Sequence, residues 1–100
     1  MTDLTPIGAM LDEVKRIVTT DRQETHGDTE DSFDMIAQLW TVYLRHRFDN
    51  DECVKLEVHD VAQMMSLLKK ARATYSVKYN PDNYLDDIGY TAIASLFKGE

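Results

Sequence analysis

Apolar residues return every three or four positions in four separate stretches of this 100-residue chain, a spacing that specifies amphipathic α-helix. In the first stretch Ile7, Met10, Leu11, Val14, Ile17 and Val18 form one stripe. Phe33, Ile36, Ala37, Trp40, Tyr43 and Leu44 form the second. Val61, Met64, Met65, Leu68 and Ala71 or the stem of Arg72 form the third, and Leu85, Ile88, Ala92, Ile93, Leu96 and Phe97 the fourth.

Local punctuation places the helix ends. Thr5 before Pro6 offers a capping hydroxyl and then a ring in the first turn, where no N–H is needed, so a helix is expected over about 6–22. Gly8 weakens it slightly. Asp28 or Thr29 can cap the next helix, over about 29–48, whose first turn holds Glu30 and Asp31 at the positive end of the helix dipole. Asp49-Asn50-Asp51 reads as a turn. Val54, Leu56 and Val58 alternate weakly, but a lone strand has no partner, so Cys53 to Val58 reads as loop. A third helix over about 58–79 starts near Glu57 or His59, and Lys69, Lys70 and Arg72 load its carboxyl half with positive charge. Asn80-Pro81-Asp82 breaks the chain before a fourth helix over about 82–98. Gly89 falls inside that helix at a cost of about 1 kcal/mol against alanine, tolerable where another backbone or a ligand comes close.

The expected fold is therefore all-α: a four-helix bundle-like single domain spanning 1–100, with the short first joint favouring antiparallel neighbours. With 43% hydrophobic residues the chain can fill one compact core, which excludes a disordered reading. A domain this small gains from burying more apolar surface, which favours a homo-oligomer. Eighteen acidic against eleven basic side chains leave a net charge of −7 and no basic stripe, so neither nucleic-acid nor membrane binding is expected. The acidity serves solubility, or the binding of a basic partner or metal ions. The lone Cys53 excludes an intramolecular disulfide and a multi-cysteine metal site. A start without a basic-then-apolar segment, and the absence of any long apolar run, point to the cytoplasm.

Three polar clusters are candidates for chemistry. Asp21 to Asp28 joins the first two helices; Arg22 there can grip a phosphate and His26 can hydrogen-bond a base or carry a proton, or the segment is simply a polar connector with a good cap. Lys69 and Arg72 share a face of the third helix at the margin of its apolar stripe, where they either reach a cleft or end a solvated helix. Asp82, Asp86 and Tyr90 are spaced four apart, as are Asn83 and Asp87. Stacked carboxylates of this kind, Asp86 and Asp87 above all, allow Mg²⁺, or else pair with Lys69 or Arg72. No Ser–His–Asp order, Gly-rich phosphate loop or His-x-x-x-His pair is present.

Several blocks in order carry a resemblance: Arg22, His26, Gly27 and Asp28; Phe33, Ile36-Ala37, Leu39-Trp40 and Tyr43-Leu44; Asp60-Val61-Ala62, Met64-Met65, Leu67-Leu68-Lys69 and Ala71-Arg72; and Asn80-Pro81, Asp82-Asn83-Tyr84, Asp86, Gly89-Tyr90 and Ala92. Over about 70 of the residues the chain resembles a family of small, uncharacterised bacteriophage and prophage helical proteins. That resemblance implies a phage-borne protein of the host-cell cytoplasm and carries no activity with it.

More loosely, the layout is similar to nucleotide-modification-associated domains and, through them, to MazG-like all-α nucleoside triphosphate pyrophosphohydrolases. Those enzymes cleave the α–β phosphate bond with Mg²⁺ held by Glu-x-x-Glu and Glu-x-x-Asp pairs. Here the corresponding stretches offer Glu30, Asp31 and Asp34, and Asn83 with Asp86, which is an incomplete set.

Two expectations follow. In one, the chain binds or processes a nucleotide with Mg²⁺: Arg22, Lys69 and Arg72 hold phosphates, Asp86 and Asp87 hold the metal or orient the cations, and His26 or Tyr90 meets the base. In the other, it is a non-enzymatic phage accessory or counter-defence protein. Its acidic surface then binds a host protein, while the charged clusters are ion pairs inside the bundle.

Overall fold

A computed structural model describes residues 2–21 and 28–98, apart from the side chain of Asp21. Four α-helices follow in order: α1 Thr5–Arg16, continued by a π-helical turn Ile17–Asp21, then α2 Thr29–Arg47, α3 Val58–Tyr75 and α4 Pro81–Phe97. No strand occurs among the described residues, and the helices pack on one another, so the protein is all-α and bundle-like.

The helix ends follow from local chemistry. Asp28 caps α2 by accepting the Asp31 N–H at 3.1 Å. Asp60 reaches back from the first turn of α3 to accept the Glu57 N–H at 2.9 Å. Asn80 caps α4, accepting from the Asp82 N–H at 3.0 Å, with Pro81 in the first turn. At α1 the expected cap moves: Thr5 lies inside the helix, and the Asp3 carboxylate accepts its N–H at 2.9 Å.

α2 stops at Phe48, where Asp49 and Asn50 take positive φ and the Asn50 N–H returns to the Arg45 carbonyl at 2.6 Å. α3 ends at Tyr75, four residues short of the expected 79. Ser76 is extended and hydrogen-bonds the Lys78 carbonyl, and Asn80 is extended, as a residue before proline must be.

The most extensive packing joins α3 to α4. α2 packs against α3, and α1 lies on α4. Among the described residues the short first joint therefore does not make α1 and α2 the principal neighbours. Gly89 supplies one reason. A Cβ there would stand 3.2 Å from a methyl of Val18, so the bare backbone lets the end of α1 settle against α4.

The core is Phe33, Ala37, Val61, Ala62, Tyr90, Ile93 and Ala94, with Val18, Ile36, Trp40, Leu56, Val58, Met65 and Phe97 packed against it. Several expected core positions lie elsewhere. On α2 the centre of the buried face is Phe33, Ala37 and Thr41, which turns Tyr43 out to 65% exposure. On α3 the buried side runs through Val61, Ala62, Met65 and Ser66, leaving Met64 and Leu68 exposed. On α4 Ile93 is buried as expected, beside Gly89, Tyr90 and Ala94, while Ala92 and Leu96 face out. Small residues at Ala62, Ser66, Gly89 and Ala94 permit a close approach, and this rotates both faces toward them.

Thr41 ties the core to the loop that precedes α3. Its hydroxyl donates to the Ala37 carbonyl at 2.6 Å and accepts the Leu56 N–H at 2.9 Å. Arg45 closes the same loop, with Nε donating to the Val54 carbonyl at 2.7 Å. The segment from Cys53 to Glu57 is accordingly irregular, as expected.

Apolar surface remains uncovered. The α1 stripe is covered unevenly: Val14 is buried and Met10, Ile17 and Val18 are half-buried, whereas Leu4, Ile7 and Leu11 are more than half exposed. Opposite the core face of α2, Met35, Leu39, Val42 and Tyr43 make a second open stripe. The molecule measures 53 × 30 × 24 Å. No helix among the described residues is long and apolar enough to cross a membrane.

Candidate functional site

The polar chemistry of the described chain concentrates along the seam between α3 and α4. Helical spacing stacks Ser66, Lys69, Lys70 and Ala73 along α3, facing Asn83, Asp86, Asp87 and Thr91 on α4. Lys69 Nζ meets Asp86 Oδ2 at 3.0 Å, with both side chains largely buried. One step around the helix, Lys70 Nζ meets Asp87 Oδ1 at 2.8 Å. The first pair is one that the spacing allows; the second takes up Lys70 of the same basic cluster, where the spacing pointed to Lys69 or Arg72.

Asp87 is the hub of this seam. Its Oδ1 accepts from Ser66 Oγ, from Lys70 Nζ and, at 3.4 Å, from Thr91 Oγ1, while Lys70 also donates to Ser66 Oγ at 2.8 Å. Ser66 is 3% exposed, so its hydroxyl is a buried polar group satisfied by these partners. Burial pushes the Asp87 carboxyl pKa up. Hydrogen bonds from Lys70 and Ser66, the Lys70 charge and a weaker bond from Thr91 outweigh that, and the net result lies below the usual 3.8.

The seam opens toward the joint between the two helices. There a recess of about 570 Å³ is lined by Lys69, Arg72, Tyr75, Ser76, Asn80, Asp82, Asn83 and Asp86. It combines the last turn of α3, where Arg72 stands, with the Asn80-capped amino end of α4. Among the described residues Arg72 makes no ion pair or hydrogen bond, whereas Lys69 is held by Asp86. Tyr79 and Tyr84 pack at 6.0 Å between ring centroids on the same joint. A smaller recess of about 310 Å³ on the other flank is lined by Lys69, Lys70, Ala73, Thr74, Asn83, Tyr84 and Asp87.

Of the residues singled out from the sequence, Lys69, Arg72 and Asp86 thus line one recess, and Asp87 lies on the adjoining flank. Tyr90 is in the core, its ring stacked 6.0 Å from that of Phe33, and is not part of the recess wall. Arg22 and His26 lie outside the described residues. Among the described residues no three His, Cys, Asp or Glu side chains converge as a metal site. Asp86 and Asp87 each face a lysine instead.

Sequence reasoning missed Ser66 and Thr91, and it read Lys70 only as part of the basic end of α3, not as the partner of Asp87. The signal for them was the pair of four-residue spacings, Ser66 to Lys70 and Asp87 to Thr91, on facing helices.

A second large recess, about 650 Å³, lies between α2 and the loop before α3. Glu30, Asp34, Gln38, Arg45, Lys55 and His59 are among its lining residues. Its charges are mixed: Glu30 and Asp34, the acids that the sequence offered on α2 for a metal, lie there beside Arg45, Lys55 and His59, whereas none of the residues named for phosphate does.

Residues 9–98 match a family described as a domain of unknown function, DUF6378, and the chain belongs to that family. Within reach of the same sequence lies the gene 55 protein of Mycobacterium phage L5, 32% identical over 85 residues. Those residues are 85% of this chain and 49% of the phage protein, so the chain spans about half the length of that relative. The relationship supports a phage association. No solved structure matches.

Proposed function

We propose that the recess between α3 and α4 binds a nucleotide through its phosphates. Arg72 carries this reading: it is a guanidinium without a partner among the described residues, at the rim of a concave site. Its planar donors match a phosphate in two-point contact. Lys69 adds a second cation beside it, oriented by Asp86. The amides of Asn80 and Asn83 and the Tyr75 ring offer hydrogen bonds and a stacking surface for the rest of the ligand. In this proposal Mg²⁺ enters with the phosphates and is met by Asp82, which lines the recess. Arg22 and His26 join as further phosphate and base contacts in this proposal. The loose resemblance to MazG-like enzymes read from the sequence is what suggests a nucleotide ligand, while the engagement of Asp86 and Asp87 by lysines favours binding over two-metal hydrolysis.

A thermal-shift series over the common ribo- and deoxyribonucleoside triphosphates, with and without Mg²⁺, tests this. At least one nucleotide should raise the Tm, and Arg72→Ala should remove that rise while leaving the stability of the unliganded protein within about 0.5 kcal/mol of the parent. No shift with any nucleotide sinks the proposal.

The accessory-protein reading has its own support. Lysines neutralise Asp86 and Asp87 along the α3–α4 seam, and exposed acids such as Asp31 and Asp34 on α2 remain to meet a basic host protein. It gains if nucleotides are inert and charge reversal at Asp31 and Asp34 abolishes capture of one host protein.

A further inference from the structure

We propose that a second copy of this chain covers the open apolar stripes, the uncovered half of α1 in one copy lying on the outer face of α2 in the other. The stripe on α1 is continuous in the sequence, yet only Val14 is buried on it, with Met10, Ile17 and Val18 half-buried. Its amino-terminal half presents Leu4, Ile7 and Leu11 to solvent. The outer face of α2 presents Met35, Leu39 and Val42 at the matching spacing of one and two helical turns. Two such stripes are mutually complementary, since residues three, four and seven apart anchor one helix on another. A two-fold arrangement uses both contacts twice and leaves neither stripe open.

The area supports a partner of this size. One chain exposes 7525 Å² at 11.5 kDa, whereas a folded monomer of that mass exposes about 5,800 Å². The excess of about 1,700 Å² per chain is roughly twice what each partner buries in an ordinary encounter, and matches the range of permanent homodimers. Shape agrees: the radius of gyration is 15.8 Å, where a compact chain of this length has about 13 Å.

Sedimentation equilibrium at micromolar concentration, paired with thermal unfolding over a range of concentrations, tests the proposal. The expected mass is twice that of the 11.5 kDa chain, with a Tm that rises as protein concentration rises. The Ile7→Lys, Leu11→Lys double variant changes side chains that are already exposed in one chain, and lysine keeps the helix propensity. It should sediment as a single chain with its helical circular dichroism retained. If that variant unfolds instead, the concentration dependence of the parent Tm decides. A parent that sediments as one chain with a concentration-independent Tm overturns the proposal and leaves the stripes to another protein. A double variant that stays dimeric overturns it too.

Discussion

Asp87 gathers three donors onto one oxygen, and this gives the seam its pH dependence. Its pKa is lower in the folded protein than in the unfolded chain, so the stability it contributes is complete above the usual value near 3.8. That contribution is lost as pH falls from there through the folded pKa, since protonation removes the charge that Lys70 and Ser66 address. Denaturant titrations of the parent and of Asp87→Asn should therefore differ by about 1–3 kcal/mol at neutral pH and converge as pH falls through the lowered pKa of Asp87. Equal stability at neutral pH would show that the network holds nothing together. Arg72 differs in kind: it has no partner among the described residues to lose, and its substitution is expected to be read in ligand binding alone.

At the level of the helices, Gly89 decides how closely α1 lies on α4. The contact of 3.2 Å that a Cβ would make with Val18 sets a small clash in Gly89→Ala against the better helix propensity of alanine, and the two nearly balance. Gly89→Leu cannot fit the gap. It should lift α1 from α4 and destabilise by about 1–3 kcal/mol, measurable by chemical denaturation, with α3 and α4 still helical. The sequence made much of this level legible. Asp28 and Asn80 announced their helices because a cap depends only on neighbours along the chain, and Gly89 announced a close approach. Which face of α3 is buried was not legible. Met64 and Leu68 compete with Val61 and Met65 as an apolar side, and the choice falls to small Ala62 and Ser66 only once α4 is present. For the same reason Lys69 with Asp86 could be anticipated from charge and margin position. Ser66 could not, because a lone serine in a helix carries no signal until Asp87 faces it.

Over the whole molecule, packing strength is uneven. α3 and α4 share the broadest contact, two cross-helix ion pairs and the hydroxyl network, whereas α1 rests on α4 over part of its length. Native-state hydrogen exchange should rank the helices accordingly: the slowest amides in α3 and α4, and the fastest helical amides in the first turns of α1. Uniform protection across all four would contradict this picture. A homodimer of the proposed kind would alter the ranking in a defined way, since covering Ile7 and Leu11 would slow α1 exchange as concentration rises.

The joint of residues 76–80 has a consequence in time as well as in space. Two helices separated by five residues lose little chain entropy in meeting, so α3 and α4 can form a hairpin before any distant segment arrives. The recess with Arg72 lies wholly within that hairpin. During synthesis that hairpin leaves the ribosome after α1 and α2. α1 and α2 emerge earlier with their apolar stripes bare, and they wait for the partner that gives them a surface. Nascent chains halted before residue 81 should therefore be held by chaperones, and release should coincide with the emergence of α4.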